Sequence, residues 1–529
     1  MTNAYITRVF PLSLFNSENL YYCFPGREFI YSNQERDFSC RYGYMWPIPF
    51  IAVNYRDDWT MYIADGETLA GVRICKNNVS FTASFMWREE TEKNSLTELH
   101  FTGGMRQMIQ TFRTWYDDVR GKLAPMTDFM KNLFHVRRYF FYEKHSTSAV
   151  FRNGDIELEE RYQEDCELTG GCDAGLLFDY SYDPGRDIRC GNADASVFDD
   201  IILEKLNRQL IEIQESSGTL FFAYIDPYIV ENGSDWDKGF GNRLPIYDEN
   251  QELLQIWRRD MWHPCLDSED WQENICDFIN KVTEVLHVEG IYLDEFGNGN
   301  QYECRRSDHF HKPSDNQIDA EKKFLTRLSD SFPEKVFMTE YAPVDRMNGM
   351  VGMVLSDTRT TLNIYRFIFP EIRFVRIVNC DGPIAGERYE LNKSFFNGEG
   401  LWIGDDVRNK EWYPDDILYL IREQYSVLKE YKKHFSSSDV EPLISSSTEG
   451  IMANRFSYES NRIITFLNTG NESAEVPICD YCRKDEAQIV FLNGRRVNRK
   501  ANGTFILGGH EVACVYEEGV TDLDFYENY

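Results

Sequence analysis

Between residues 131 and 435, short apolar segments alternate with amphipathic ones, and this alternation constrains the fold more than any other feature of the chain. The apolar segments have the length and composition of buried strands, whereas the segments between them have the three-and-four apolar spacing of helices that pack on a sheet. The eight strand candidates are residues 136–141, 175–179, 218–226, 290–294, 336–340, 352–357, 374–378 and 400–403. Such a series predicts an α/β fold, the (β/α)8 TIM barrel, in which functional side chains gather at the carboxyl ends of the strands.

An open, doubly wound sheet is the alternative arrangement for such repeats. That fold usually binds nucleotides through a glycine-rich loop placed directly after a strand. No GxGxxG or Walker sequence follows any of the strand candidates, so the usual nucleotide-binding role of that fold is excluded. The barrel is therefore the preferred prediction.

The clearest repeat covers residues 271–297, WQENICDFINKVTEVLHVEGIYLDEFG. Its first part has apolar side chains at helical spacing, and Ser268 is placed to cap the helix. The run at 290–293 has the composition of a buried strand and stops at Asp294. Because side chains alternate along a strand, Tyr292 and Asp294 are expected on the same face, which in a barrel is the lumen.

The remainder of the chain has strand patterns without regular intervening helices. A length of 529 residues is too great for one hydrophobic core. Residues 1–130 contain short alternating runs broken by polar turns, and residues 436–529 return to such runs after a serine-rich linker. We therefore predict an N-terminal β-sandwich over 1–130, the barrel over 131–435 and a C-terminal β-sandwich over 436–529.

The net charge limits the partners of the chain. It has 87 acidic and 56 basic residues, a net charge of −31, which repels phosphate backbones and anionic lipids. No run of about 18 apolar residues is present for a membrane span, and the N-terminus lacks a basic start followed by an apolar segment. These features predict a cytoplasmic protein with a neutral substrate and without nucleic-acid or membrane partners. They do not predict an oligomeric state.

Cysteine and histidine spacing gives no complete metal motif. The 13 cysteines are scattered and odd in number, as expected for reduced thiols rather than a disulfide framework. Cys479 and Cys482 form the only CxxC pair, which is half a zinc site at most. His309 and His311 have ligand-like spacing, but their polar surroundings favour a solvated loop. We therefore predict no metal and no cofactor.

The barrel strand candidates repeatedly end on acidic residues. Converging carboxyl groups without a metal motif indicate acid–base chemistry on a neutral bond. Glycoside hydrolysis needs two of them, one ionised near the anomeric carbon and one protonated beside the leaving oxygen. Any one acid could instead cap a helix or accept loop amides, but that explanation fits the whole set less well. The set is Asp179, Asp226, Asp294, Glu340 and Asp357, with Asp381 shortly after the seventh candidate.

Two motifs carry a family resemblance: GIYLDEFG at 290–297 and FMTEYAP at 337–343. With the preceding amphipathic helix, they resemble the catalytic core of retaining (β/α)8-barrel glycoside hydrolases, the group that includes endo-α-N-acetylgalactosaminidases and the α-amylase type. The chain also resembles uncharacterised bacterial proteins with a glycosidase-like barrel. The resemblance implies hydrolysis of an α-linked glycoside with retention, Asp294 being the nucleophile on strand four and Glu340 the general acid/base on strand five. The flanking β-domains also resemble the N-terminal sandwich and the C-terminal β-domain of these enzymes.

The sequence departs from this pattern at two places. The α-amylase type carries arginine two residues before its nucleophile, whereas this chain has Tyr292. Galactosidase and α-glucosidase types place the acid as an aspartate on strand six, which makes Asp357 the alternative to Glu340.

Further acids and aromatic rings at predicted strand ends or in loops are candidates for binding sugar hydroxyls or stacking on sugar faces. They are Asp179, Tyr180, Asp226, Tyr228, Trp262, His263, Tyr341, Asp381 and Trp402, whereas Tyr224 is assigned to the barrel core.

Two other functions are compatible with a barrel. A barrel that binds carbohydrate without cleaving it would not need both Asp294 and Glu340. A metal-dependent hydrolase would need His-x-His at the end of strand one, and the nearby sequence, His135-Val-Arg137, lacks this motif.

Overall fold

A computed structural model describes most of the chain. The described residues are 6–12, 20–43, 45–77, 80–142, 146, 149–182, 188, 200–248, 250, 252–254, 260–297, 304–306, 308–309, 311, 317–356, 360–379, 383–384, 386–404, 407–444, 448–482, 487–501 and 503–519. The chain forms two compact units. The first comprises Met1–Phe101, Tyr139–Glu159 and Gly175–Leu355, and the second comprises Thr102–Arg138, Glu160–Ala174 and Ser356–Tyr529. The domain boundaries at 130 and 435 stay predictions.

The N-terminal part of the first unit is a β-sandwich, as predicted. Its strands are β1 (Ile6–Leu12), β2 (Tyr21–Pro25), β3 (Phe29–Ser32), β4 (Arg36–Arg41), β5 (Phe50–Tyr55), β6 (Asp58–Asp65), β7 (Leu69–Lys76), β8 (Phe81–Trp87) and β9 (Ser95–Thr102). One sheet has the order β1-β8-β7-β4 and the other β3-β2-β5-β6-β9. Aromatic rings join the sheets: Phe24 lies 5.3 Å from Phe38, and Tyr22 lies 5.7 Å from Phe81, measured between ring centroids.

The predicted (β/α)8 barrel is confirmed. The strands from β10 onward are β10 (His135–Phe140), β11 (Phe151–Arg152), β12 (Asp155–Ile156), β13 (Ala174–Phe178), β14 (Leu220–Ile225), β15 (Val230–Glu231), β16 (Met261–Trp262), β17 (Gly290–Leu293), β18 (Val336–Thr339), β19 (Met353–Ser356), β20 (Arg373–Ile377) and β21 (Gly400–Ile403). The closed barrel has the order β10-β13-β14-β17-β18-β19-β20-β21, and the other four strands form two short antiparallel pairs, β11-β12 and β15-β16. Every residue of β13, β17 and β21 is buried, as expected of strands covered on both faces.

Helices occupy several of the connections between barrel strands. The helices are α1 (Met105–Arg120), α2 (Asp128–Asn132), α3 (Leu158–Thr169), α4 (Asp200–Ser217), α5 (Asp235–Phe240), α6 (Glu269–Val285), α7 (Gln317–Ser331), α8 (Ile364–Ile368), α9 (Arg388–Phe396), α10 (Asp415–Glu430) and α11 (Lys432–Phe435), with 3-10 turns at Asp345–Met350 and Ile478–Asp480. The predicted cap of α6 is present, because the Ser268 hydroxyl accepts the N–H of Trp271 at 3.4 Å. No helix in the described ranges is both long and apolar enough to cross a membrane.

The C-terminal part of the second unit is again β-rich, as predicted. Its strands are β22 (Asp439–Glu441), β23 (Ile451–Tyr458), β24 (Asn461–Asn468), β25 (Ala474–Pro477), β26 (Gln488–Leu492), β27 (Arg495–Lys500), β28 (Thr504–Leu507) and β29 (Val512–Glu517). A sheet of order β22-β23-β24-β29-β26-β27 faces the pair β25-β28. Phe466 and Phe505 pack across this core with ring centroids 5.5 Å apart.

Candidate active site

Three acids leave adjacent barrel strands at the same level. Asp226 directly follows β14, Asp294 follows β17 and Glu340 follows β18. The parallel register pairs Ile225 with Leu293, and Leu293 with Thr339. The N–H of Asp294 donates to the Ile225 carbonyl at 3.0 Å, and that of Glu340 donates to the Leu293 carbonyl at 3.3 Å. The acids therefore lie together at the carboxyl end of the barrel, where TIM barrels carry their functional groups.

Two tyrosines hold the carboxylate of Asp294. The Tyr292 hydroxyl donates to Oδ1 at 2.6 Å, and the Tyr224 hydroxyl, from the neighbouring strand, donates to Oδ2 at 2.8 Å. Hydrogen bonds to both oxygens stabilise the negative charge and fix the plane of the carboxylate. The predicted placement of Tyr292 and Asp294 on one face is confirmed. Asp294 itself is only half-buried.

Aromatic packing fixes these two tyrosines. The ring of Phe178 lies 4.2 Å from that of Tyr224 and 6.3 Å from that of Tyr292, and the two tyrosine rings are 5.8 Å apart. The Tyr180 hydroxyl donates to the backbone carbonyl of Tyr224 at 2.7 Å. The hydroxyl groups that reach Asp294 are therefore supported by rings from three consecutive barrel strands.

The assignment of Tyr224 to the barrel core is wrong. Its ring packs as a core ring would, but its hydroxyl contacts Asp294 and its side chain is only half-buried. Tyr224 lies two positions before Asp226, and side chains two positions apart on a strand face the same way, so the sequence did contain a signal for this placement.

Asp226 is the most deeply buried of the three acids, with 5% of its surface exposed. Its Oδ1 accepts the N–H of Tyr228 at 2.8 Å, and its Oδ2 has no hydrogen-bond partner among the described residues. Burial, followed by the negative charges of Asp294, Glu295 and Glu340, raises the pKa of Asp226 well above its usual range. A protonated carboxyl group beside an ionised one can donate a hydrogen bond that a carboxylate cannot.

The residue after Asp294 has a strained backbone. Glu295 has a φ of +57°, in the left-handed region that few residues other than glycine adopt. In this conformation its N–H donates to Oε2 of Glu340 at 3.0 Å. Such strain persists only where the surroundings enforce it, and it concentrates at functional sites. One oxygen of Glu340 is therefore engaged in holding the backbone beside Asp294.

The connections after β17 and β18 are joined to each other. The N–H of Tyr341 donates to the Phe296 carbonyl at 3.1 Å, and that of Val344 donates to the Gly297 carbonyl at 3.2 Å. Gly297 has a φ of +134°, and a Cβ there would lie 2.4 Å from the Tyr341 carbonyl oxygen. Glycine is required at this close approach.

The N-terminal sandwich contacts the connection that carries Glu340. The Tyr42 hydroxyl donates to Oδ1 of Asp345 at 2.5 Å, and the N–H of Asp345 donates to the Pro47 carbonyl at 3.1 Å. Arg346 forms an ion pair with Asp65 at 3.7 Å. The position of the Glu340 connection therefore depends on residues near the beginning of the chain.

Two of the predicted sugar-binding residues lie near these acids. Asp179 follows β13, is 8% exposed and has a φ of +60°, so it shares the left-handed backbone found at Glu295. Tyr341 is half-buried and directly follows Glu340. Asp357 and Asp381 lie outside the described residues.

The remaining predicted sugar-binding residues are buried and have internal contacts. The Tyr228 hydroxyl donates to Glu321 at 2.5 Å, and Nε1 of Trp262 donates to Asp237 at 2.9 Å. His263 is 2% exposed, and burial lowers its pKa to about 3. Trp402, in the second unit, is 5% exposed and lies under the guanidinium of Arg138. These contacts favour a supporting role for the four side chains.

The prediction of a solvated loop at His309 and His311 is wrong. Both imidazoles converge with the thiols of Cys265 and Cys304, and the ligand atoms of all four residues lie within 4.8 Å of one another. Cys265 is 3% exposed and Cys304 is 7% exposed. The sequence around the two histidines is polar, which favoured the prediction of a solvated loop. Cys265 belongs to a different connection of the barrel, so the spacing of residues along the chain did not indicate that it joins them.

The architecture, a TIM barrel with an N-terminal and a C-terminal β-domain, is shared with solved structures of glycoside hydrolases. The GH36 alpha-galactosidase AgaB from Geobacillus stearothermophilus superposes with a TM-score of 0.64 at 12% identity, covering 96% of this chain and 75% of that one. The galactosidase domain of the alpha-galactosidase-sucrose kinase AgaSK gives a TM-score of 0.63 at 12% identity, covering 97% and 75%. The alpha-N-acetylgalactosaminidase NagBb from Bifidobacterium bifidum gives 0.60 at 13%, covering 85% and 80%.

At such low identity these likenesses establish the fold. No protein-family model matches the sequence, and no curated relative matches it.

Proposed function

We propose that this protein is a glycoside hydrolase that cleaves an α-linked galactoside or N-acetylgalactosaminide. The observation that carries the proposal is the half-buried carboxylate of Asp294, held by two tyrosine hydroxyls at the end of the fourth barrel strand beside Asp226 and Glu340. The fold likeness to alpha-galactosidases and to an alpha-N-acetylgalactosaminidase supports the substrate class. Two similar solved structures hold stachyose and raffinose, which are neutral oligosaccharides. The net charge of −31 also suits a neutral substrate.

In the proposed reaction, Asp294 attacks the anomeric carbon while a second carboxyl group protonates the leaving oxygen. The glycosyl–oxygen bond breaks, and the sugar becomes esterified to Asp294. The second group, now a carboxylate, removes a proton from water, which attacks the anomeric carbon and releases Asp294. The configuration at the anomeric carbon is retained because it inverts twice.

Two carboxyl groups are candidates for the general acid/base. Glu340 follows the fifth barrel strand, but one of its oxygens accepts the N–H of Glu295. Asp357 follows β19, the sixth strand, which is where galactosidase-type barrels carry their acid. The similarity to alpha-galactosidases therefore favours Asp357 as the acid, with Glu340 positioning the backbone next to Asp294.

Asp226 has a different proposed role. Its raised pKa favours the protonated form, and in that form it can donate a hydrogen bond to a substrate hydroxyl. Two neighbouring carboxyl groups in opposite protonation states are typical of acid–base and sugar-binding sites. Asp179 and Tyr341 complete the set of groups proposed to contact the sugar.

The decisive experiment is a screen of aryl glycosides of galactose, N-acetylgalactosamine and glucose in both anomers. We expect hydrolysis of an α-galactoside or an α-N-acetylgalactosaminide, with the α-anomer of the free sugar appearing first in NMR spectra. A first product of the β-configuration would make Asp294 a general base rather than a nucleophile. Sugar binding by calorimetry without turnover of any substrate would instead support a non-catalytic carbohydrate-binding barrel.

A further inference from the structure

The cluster of Cys265, Cys304, His309 and His311 has the composition of a metal site. Each residue presents one ligand atom, and these atoms all lie within 4.8 Å of one another. Sγ of Cys304 lies 3.1 Å from Nδ1 of His309. Two thiols and two imidazoles form one of the common ligand sets of structural zinc, which favours four protein ligands in a tetrahedral arrangement.

The backbone on both sides of the cluster is held in place. The N–H of Cys265 donates to the Leu244 carbonyl at 2.8 Å, which attaches this residue to the segment after α5. The N–H of Arg305 donates to the carbonyl of Tyr247 at 3.3 Å, and the guanidinium of Arg306 lies 4.8 Å from the Tyr247 ring. The residues at 244–247 thus anchor both ligand-bearing segments.

The surroundings of the sulfur atoms are apolar. Cys265 and Cys304 pack in a buried cluster with Ile246, against which the half-buried Leu254 also packs. An apolar shell excludes water and strengthens bonds between a cation and thiolates. The two thiols therefore lie in a buried, apolar environment and not on the surface.

A disulfide between the two cysteines explains the cluster less well. Both residues are free thiols in the structure. A disulfide would explain why the two sulfur atoms are close together. It would not explain why two imidazole rings also lie beside them.

We propose that Cys265, Cys304, His309 and His311 bind one structural Zn²⁺ ion. In a tetrahedral site with Zn–S near 2.3 Å and Zn–N near 2.0–2.1 Å, neighbouring ligand atoms lie about 3.3–3.8 Å apart. Side-chain movements of about 1 Å or less would bring the four ligand atoms from their present positions to these distances. Four protein ligands leave no open position for substrate, so the ion is structural and takes no part in the proposed hydrolysis. This proposal departs from the sequence-based expectation of no metal.

The ligands bracket the repeat that carries Asp294. Cys265 lies just before α6, whose N-cap is Ser268, and the other three ligands come from the connection after β17. A bound ion would tie the two ends of this helix–strand unit together at the carboxyl side of the barrel. Zinc binding would then contribute directly to the folding free energy and would order the connection that follows Asp294.

The first test is the metal content of the purified full chain, measured by inductively coupled plasma mass spectrometry after dialysis into metal-free buffer. We expect about one zinc per chain, and near-complete loss of zinc in Cys304→Ser and His311→Ala. Cys276→Ser is the matched control, since this half-buried thiol lies on α6 outside the cluster. Equal zinc in the control and in the ligand variants would overturn the proposal.

A second test does not depend on the folding of variants. The wild-type chain reconstituted with Co²⁺ should show thiolate-to-cobalt charge-transfer absorption and the intense visible bands of a tetrahedral site. Removal of zinc by a chelator should lower Tm by roughly 5 °C or more. The proposal is overturned if the wild-type chain takes up no zinc from a zinc salt, or if Cys265 and Cys304 form a disulfide in freshly purified protein.

Discussion

The hydroxyl of Tyr292 donates a 2.6 Å hydrogen bond to Asp294, two residues further along the same side of the chain. With Tyr224 on the neighbouring strand, it supplies two neutral donors to one carboxylate. Barrels of the α-amylase type have arginine at the position that Tyr292 occupies in this chain. A cation there would neutralise the carboxylate strongly, whereas two hydroxyls orient it and leave its charge largely available for the proposed attack on the anomeric carbon.

We expect Tyr292→Phe and Tyr224→Phe each to lower kcat/KM by about tenfold to a hundredfold, because a hydrogen bond to a charged group contributes about 1.5–3 kcal/mol. Loss of a donor to a carboxylate raises its pKa, so the acidic limb of the pH–rate profile should move to higher pH. Tyr419→Phe, at an exposed position, serves as the control. An unchanged acidic limb in both active-site variants would argue against Asp294 as the ionising group.

Asp294→Asn should fold normally and lose at least about a thousandfold in turnover, because an amide cannot form the glycosyl ester. The comparison is Asp277→Asn, which makes the same chemical change at an exposed position of α6. Turnover is measured with the best substrate from the aryl glycoside screen, and folding by calorimetry. Near-wild-type turnover in a folded Asp294→Asn protein would end the assignment.

Glu340→Ala and Asp357→Ala should differ in their dependence on the leaving group. Removal of the general acid harms substrates with poor leaving groups most, since activated aryl glycosides need little protonation. We expect this dependence in Asp357→Ala, whereas Glu340→Ala should lose activity toward all substrates to a similar degree because the backbone at Glu295 is released. The opposite result would make Glu340 the acid/base, as its position after strand five first indicated.

Asp226→Asn should change how stability depends on pH. The folded-state pKa of Asp226 lies above the unfolded value of about 3.9, so the folded state holds this proton more tightly. The free energy of unfolding contributed by Asp226 is therefore largest below about pH 4 and declines as the pH rises through the raised folded pKa. The variant lacks this decline, so its Tm relative to wild type should increase with pH. Parallel Tm curves for the two proteins between pH 4 and 8, by calorimetry, would show that Asp226 ionises normally.

Gly297→Ala should reduce both activity and stability. A Cβ at this position meets the Tyr341 carbonyl at 2.4 Å, and the backbone has a φ of +134°. The cost should exceed about 1 kcal/mol, and displacement of the connection after β17 should lower kcat by roughly tenfold or more. Gly239→Ala is the matched control, because nothing lies within 4 Å of its added Cβ. Equal behaviour of the two variants would show that the close approach at Gly297 is unimportant.

Local sequence patterns predicted the barrel and the ends of its strands. The run at 290–293 was expected to stop at Asp294, and β17 is Gly290–Leu293. Residues 400–403 match β21, Gly400–Ile403. Both strands are short apolar runs whose ends are marked by polar residues or glycine. Such ends can be predicted because they depend only on the local sequence.

Contacts between distant segments were beyond the reach of these patterns. The role of Tyr224 depends on the register between β14 and β17, which aligns Tyr224 with Tyr292. The buried Trp262 has its hydrogen-bond partner, Asp237, in α5, 25 positions earlier in the chain. The convergence of His309 with Cys265 joins two connections of the barrel. Periodicity within one segment contains no information on which other segment will lie opposite.

The hydrogen bond between Tyr42 and Asp345 spans 303 residues of sequence. A ribosome adding about 5–20 residues per second needs roughly 15–60 s to bridge that interval. During synthesis, the nascent N-terminal sandwich therefore waits, with the face around Tyr42 and Pro47 uncovered, until the 3-10 turn at Asp345–Met350 emerges. Slowing translation between the two segments should prolong the interval in which this face lacks its partner from the Asp345–Met350 turn.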